Sequence, residues 1–284
     1  MAGLTLMAVH AHPDDESIST GGILALYAGE GVTTVLVTCT DGSCGDGPGG
    51  VKPGDPGHVP DEVVEVRRTE LEQSCKALGI THFESLGYRD SGMMGWPQND
   101  TPGSFWTTPV DDAASRLAQL MEAYRPQVVV TYDDNGFYGH PDHIQANRIT
   151  VAAVEKTGIP EKLYYTAVPK SWFAELGQRL QELGVEFPRV ESAQDAAVPA
   201  DETASGPEEW GTPDDEITTV VDVSGAVDRK FDSLTAHASQ SDNIFFLQMG
   251  RKAFGEIMTR EAFVRVMDRT GAPLPEDDLF AGLR

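Results

Sequence analysis

Leu4-Thr5-Leu6-Met7-Ala8-Val9-His10-Ala11-His12-Pro13-Asp14-Asp15-Glu16 reads as an apolar strand that runs into a turn carrying a histidine and three acids. Pro13 biases His12 towards an extended backbone and ends the strand there. Residues 17–30 are then predicted to be helical, with Ile23, Leu26 and Tyr27 on one side and Gly29 and Gly31 as the stop. In open α/β sheets ligands bind in the crevice beyond the carboxyl ends of the strands, which is where this turn lies. The helix dipole alone favours acids at such a position, so the stretch by itself supports a plain turn as well as a site.

The rest of the chain repeats the pattern. Residues 32–40 are β-branched and apolar, a buried strand. Residues 61–78 are helical, with Val64, Leu71, Cys75 and Leu78 spaced for one face. A third strand is expected at 80–88, a helix around Leu117, Leu120, Met121 and Tyr124, and a fourth strand at 127–133. A helix at 144–156, a strand at 162–168 and a late strand at 217–223 follow, and the remainder reads as mostly helical. This alternation predicts an α/β fold: a Rossmann-like, mostly parallel sheet with helices on both faces and a C-terminal extension packed on the site face. Residues 1–170 are expected to form the catalytic core, and 171–284 the C-terminal part of the same domain. An acidic stretch near 190–216, rich in Ala, Pro and Gly, is expected to be mobile. Gly45-Asp46-Gly47-Pro48-Gly49-Gly50 formally matches G-x-G-x-x-G, but no helix opens there, so it is read as a rim loop.

Composition narrows the function. The chain has 284 residues, enough for a full core. No apolar run approaches the roughly 20 residues that span a bilayer, so no membrane partner is expected. Against 45 Asp and Glu there are 21 Lys and Arg, a net charge of −24, which repels phosphate backbones and argues against nucleic acid. Cys39, Cys44 and Cys75 form no C-x-x-C, and Met1-Ala2-Gly3 carries no basic lead-in, so a cytoplasmic location is expected. No G-x-S-x-G elbow or Walker A sequence is present. Nothing in the composition specifies an oligomeric state.

The chemistry lies in two loops, each after an apolar strand and each holding His-Pro followed by Asp. One supplies His12, Asp14 and Asp15; the other supplies His140, Asp142 and His143. Imidazoles and a carboxylate gathered from separate strands suit a divalent metal such as zinc, and two histidines with one carboxylate leave positions open for water and substrate. His10, alternating with His12 in the strand, is expected to be buried and hydrogen-bonded, not a ligand. Trp96, Phe105 and Trp106 are expected either to wall a pocket or to anchor their loop. His237 is expected either to reach the site from a late helix or to cap that helix.

Ala11-His12-Pro13-Asp14-Asp15-Glu16 together with Gly139-His140-Pro141-Asp142-His143 resembles the LmbE-like, or PIG-L, superfamily of metal-dependent de-N-acetylases. Arg67-Arg68-Thr69-Glu70, Tyr88-Arg89-Asp90-Ser91-Gly92-Met93 and Ala236-His237-Ala238-Ser239-Gln240 extend the resemblance over most of the chain, nearest the branch of mycothiol metabolism. By position, it implies that His12, Asp15 and His143 bind the metal, zinc or alternatively iron(II) or another divalent ion. It implies Asp14 as general base, His140 as oxyanion donor or acid, Asp142 as a residue tuning a histidine, and Tyr138 as an aid to carbonyl polarisation. Arg67, Arg68 and Asp90 match positions that grip sugar hydroxyls, and Glu16 is expected to begin the helix. The implied reaction is hydrolysis of the amide of an N-acylated amino sugar, a small-molecule substrate. The alternatives are a mycothiol S-conjugate amidase and a non-catalytic sugar- or nucleotide-binding module.

Overall fold

Five strands in the first part of the chain are parallel and set the frame: β1 (Thr5–His10), β2 (Thr33–Thr40), β3 (His82–Tyr88), β4 (Val128–Thr131) and β5 (Lys162–Ala167). The computed structural model describes residues 3–183, 211–240 and 246–284. Two later strands, β6 (Thr219–Asp222) and β7 (Arg260–Asp268), complete one sheet in the order β3-β2-β1-β4-β5-β7-β6. β7 runs antiparallel to both of its neighbours.

β1 is the central strand and is buried along its whole length. Its side chains alternate between two cores, as a period of two requires. Met7 and Val9 pack with Leu117, Met121 and Ile149 on one face, whereas Leu6 and Ala8 pack with Ile23, Tyr27 and Leu78 on the other. The helices that cover the sheet are α1 (Asp15–Ser19), α2 (Gly21–Gly29), α3 (Pro60–Leu78), α4 (Val110–Tyr124), a single turn α5 (Gly136–Gly139) and α6 (Pro141–Thr157). Further along come α7 (Lys170–Leu183), α8 (Val227–Ala236) and α9 (Gly250–Ile257). The strand order reverses between β1 and β4, so a crevice opens at their carboxyl ends. Both His-Pro loops begin there.

Three differences from the sequence reading have physical causes. The helix expected over 17–30 is two helices, because the chain breaks at Thr20 (φ −139°), whose hydroxyl meets His10 Nε2 at 2.8 Å. Residues 260–268 are a strand, not a helix: Phe263, Val264 and Val266 favour extended backbone, and the segment fills the slot between β5 and β6. Of the acidic stretch 190–216, all but the last six residues lie outside the described residues, and Asp214–Glu216 form one 3-10 turn. Among the described residues no helix is long and apolar enough to cross a membrane.

The C-terminal tail is fastened by one buried carboxylate. Glu276 accepts from Lys162 Nζ, from Tyr164 Oη at 2.7 Å, from Arg265 Nη1 at 2.8 Å and from Thr219 Oγ1 at 3.2 Å. Lys162 is fully buried, so Glu276→Ala strands its charge. Urea unfolding of Glu276→Ala is expected to show a loss of about 3–5 kcal/mol relative to the parent protein.

Candidate active site

The first loop is shaped by its own carboxylates. His12 N–H donates to Asp15 Oδ2 at 2.7 Å, which folds the turn back before α1 begins. Asp14, between them, takes φ 132° and ψ −29°, a conformation that non-glycine residues avoid. Tyr132, just after β4, donates its hydroxyl to Asp15 Oδ2 at 2.7 Å and accepts Ala11 N–H at 2.8 Å. One phenol thus ties the ends of β1 and β4 together.

The second loop turns on Gly136, where φ is 63° and a Cβ would lie 2.8 Å from both His143 Cβ and Ile144 N. Only glycine fits so close an approach. His140 then caps α6, its Nδ1 accepting Asp142 N–H at 3.1 Å, with Pro141 in the first turn. The His140 and His143 rings stack at 4.8 Å, and Tyr132 lies flat on His143 at 4.1 Å.

The proton positions decide what this cluster can hold. His143 Nδ1 faces Gly136 O at 3.2 Å, so it carries the proton and leaves Nε2 as a lone pair. His12 Nε2 faces Asp142 Oδ2 at 3.3 Å, so the neutral form of His12 carries its proton there and presents Nδ1 to the cluster. These two nitrogens lie 3.3 Å apart, and the Asp15 carboxylate approaches them at 3.3 and 3.4 Å. Ligands about 2.0–2.2 Å from a tetrahedral zinc ion lie roughly 3.3–3.6 Å from one another. The residues present therefore fit a divalent metal. The field around them also calls for positive charge. Burial opposes protonation of His12, yet the carboxylates of Asp90, Asp142 and Asp15 hold its imidazole well above the ordinary range. His140 brings a nitrogen within 4.8 Å of the same histidines. Its Nδ1 accepts Asp142 N–H, so in the neutral ring the proton sits on Nε2. Burial, with His12 and His143 nearby, keeps it well below the usual histidine range and neutral.

The remaining expected residues divide. Asp142 is fully buried and backs His12, held in turn by Ser91 N–H at 2.8 Å. Tyr138 stands beside the cluster, its ring 5.1 Å from that of His143 and 6.1 Å from that of His140. Arg67 arrives from α3 but is only 4% exposed, and its guanidinium meets Pro13 O, Gly42 O and Asp14 Oδ1, the last at 2.9 Å. It braces the first loop at Asp14. Arg68 does not reach the site: one step round the helix, it is exposed and paired with Glu65 and Glu72. Asp90 is buried with both oxygens accepting backbone N–H groups, from Cys44 at 3.1 Å and Gly92 at 2.8 Å. It lies 3.7 Å from His12 Nε2.

His10 is buried and burial pushes its imidazole down to about 4, as a hydrogen-bonded core residue requires. Phe105 is fully buried and anchors its loop, whereas Trp106 packs under the Arg148 guanidinium at 5.1 Å. Sequence reasoning missed Tyr132, although its place one step past a strand and eight residues before His140 was a usable signal. Glu16 lies in the first turn of α1, as expected, but its burial was not foreseen. Glu16 is buried against His237 and three serines; burial opposes its charge, but His237, Ser74 and Ser17 hold the carboxyl at about 2.

The family described as GlcNAc-PI de-N-acetylase, PIG-L, matches residues 7–154. A 1D-myo-inositol 2-acetamido-2-deoxy-alpha-D-glucopyranoside deacetylase of Acidothermus cellulolyticus is 43% identical, with 98% of this chain and 95% of its own length aligned. Its namesake from Thermomonospora curvata is 39% identical over the same shares. Among solved structures, the N,N'-diacetylchitobiose deacetylase of Pyrococcus horikoshii aligns with 93% of this chain and 84% of its own, at 18% identity and a TM-score of 0.55. GalB, the 4-carboxy-2-hydroxymuconate hydratase of Pseudomonas putida, aligns with 95% and 99% at 20% identity and a TM-score of 0.60. A deacetylase and a hydratase on one fold show that the architecture is shared while the chemistry is not.

Tyr132→Phe keeps the ring on His143 and removes only the hydroxyl from Asp15 and Ala11. Chelator competition is expected to show metal affinity lowered about 10–100-fold with the fold intact; unaltered affinity would remove Tyr132 from this role.

Proposed function

The chain belongs to the PIG-L family of de-N-acetylases, and from that premise we propose that it hydrolyses the amide of an N-acetylated amino sugar joined to inositol, releasing acetate and the free amine. The observation that carries this reading is the convergence of two imidazole nitrogens and a carboxylate at 3.3–3.4 Å, with Asp14 beside them. The GlcNAc-inositol substrate is drawn from the names of the relatives, which favour it over a mycothiol S-conjugate. A binding module has no use for a buried acid held in so costly a backbone conformation. Three unpaired cysteines support a cytoplasmic setting.

A divalent ion held by His12, Asp15 and His143 would polarise the amide carbonyl and lower the pKa of water from 15.7 to about 7. Zinc suits two imidazoles and one carboxylate, with iron(II) the alternative. Burial pushes the Asp14 carboxyl up to about 7, against the pull of Arg67. A base is most effective with its pKa near the working pH. In the proposed reaction Asp14 takes the proton of the attacking water. Neutral His140 presents its Nε2–H to the carbonyl oxygen as that atom gains charge, and Tyr138 lends its hydroxyl to the same oxygen. The proton on Asp14 then passes to the departing nitrogen, because neutral His140 is a poor acid.

Metal analysis of the purified protein with amine release from GlcNAc-inositol, a mycothiol S-conjugate and N-acetylglucosamine tests the proposal. Bound metal and preferred turnover of GlcNAc-inositol are expected; bound metal with no amine from any of them would overturn it. Asp14→Asn is expected to retain the metal and lose about 10²–10⁴-fold in kcat. Asp14 acts as its carboxylate, so kcat/KM falls as pH drops below its pKa, with the acid limb at or below about 7. That limb should be absent from the residual activity of Asp14→Asn.

A further inference from the structure

A second buried polar cluster lies directly behind Asp14. Glu16, Ser17, Ser74, Ser233 and His237 are all fully buried. Glu16 Oε1 accepts from His237 Nε2 at 2.7 Å, from Ser17 Oγ at 2.9 Å and from Ser74 Oγ. Ser233 Oγ closes the ring, 2.7 Å from Ser74 Oγ. Ser74 comes from α3, whereas Ser233 and His237 come from α8 and its C-terminal cap, outside the segment that the family matches. The other oxygen, Glu16 Oε2, accepts Asp14 N–H at 3.0 Å.

That last bond makes the cluster more than a tether between helices. Asp14 sits at φ 132°, a conformation that persists only where surrounding contacts over-determine it. Three contacts do so: Arg67 takes the side chain at 2.9 Å, Glu16 takes the backbone N–H, and Ser17 N–H donates to the Asp14 carbonyl at 3.0 Å. As a stabilising device alone, a buried ion pair is a poor choice, since apolar residues of similar volume serve as well or better. We infer that Glu16 and His237 are a positioning pair: His237 fixes the Glu16 carboxylate, which holds the Asp14 backbone so that its carboxyl faces the reacting water. This rests on Asp14 being the base. It assigns the C-terminal part of the chain a share in turnover that makes no contact with substrate.

The test uses the full-length, metal-loaded protein and amine release from GlcNAc-inositol. His237→Ala removes the donor, and His237→Gln returns an N–H. In His237→Ala, kcat is expected to fall by up to about 10²-fold, the effect of a small misplacement of a catalytic group, while KM and metal per chain stay at parental values. His237→Gln is expected to regain most of the loss. A merely structural role would move KM, metal content and thermal stability together, and would show no such split or rescue. A His237→Ala protein within twofold of parental kcat, or one whose loss tracks lost metal, overturns the inference. If His237→Ala does not fold, Glu16→Gln is held to the same criteria; if neither folds, the pair is structural and the inference fails. A parental protein that releases no amine would instead bring down the base assignment, whereas an active parent with indifferent variants defeats this inference alone.

Discussion

His12 Nδ1, His143 Nε2 and the Asp15 carboxylate face one another across 3.3–3.4 Å, and each histidine gives its other nitrogen to a partner behind it. The carboxylates around them favour positive charge at that spacing. Much of the surrounding structure serves to keep them there. Asp142 and Gly136 O hold the far sides of the two rings, Tyr132 holds Asp15, and the fully buried β1 fixes where the first loop starts. The spacing of the three groups is thus set by neighbours outside the trio.

The contributors come from distant parts of the chain. His12 and Asp142 are 130 positions apart, and Glu16 and His237 are 221. They meet because β1 and β4 are neighbours at the point where the strand order reverses, and because α8 returns to pack on α1, α2 and α3. The sheet supplies the rigidity, and the loops at its carboxyl edge supply the chemistry. The acidic balance of the chain acts in the same sense as its site, since a net charge of −24 raises the local concentration of cations around the protein.

Most of the frame was legible in sequence, because β1, β2, β4 and β5 are apolar runs with helices between them and no other arrangement buries them on both faces. The meeting of the two loops was legible for a related reason: His-Pro after a strand marks the crevice from residue type and position alone. What stayed hidden depends on helix phase and long-range packing. Arg67 and Arg68 are adjacent letters, yet about 100° of helical rotation buries one against Asp14 and leaves the other in solvent. Tyr132 looks like the polar end of a strand until β1 is laid beside it. Glu16 reads as a helix-start acid, and only the return of α8 gives it a partner. β7 was hidden because its strand character is completed by β5 and β6 on either side.

The backbone at Asp14 has a consequence for how this protein tolerates change. Its dihedral angles suit glycine, so natural variation that favours stability alone would drive position 14 towards a residue with no side chain. With Asp14 as the proposed base, turnover demands the opposite, an acid with a Cβ and a carboxyl held in a place the backbone resists. Stability and activity are therefore in direct opposition at one residue. On that proposal, selection for thermal robustness without selection for hydrolysis would erode the protein from position 14 outward, leaving a sound fold and no reaction.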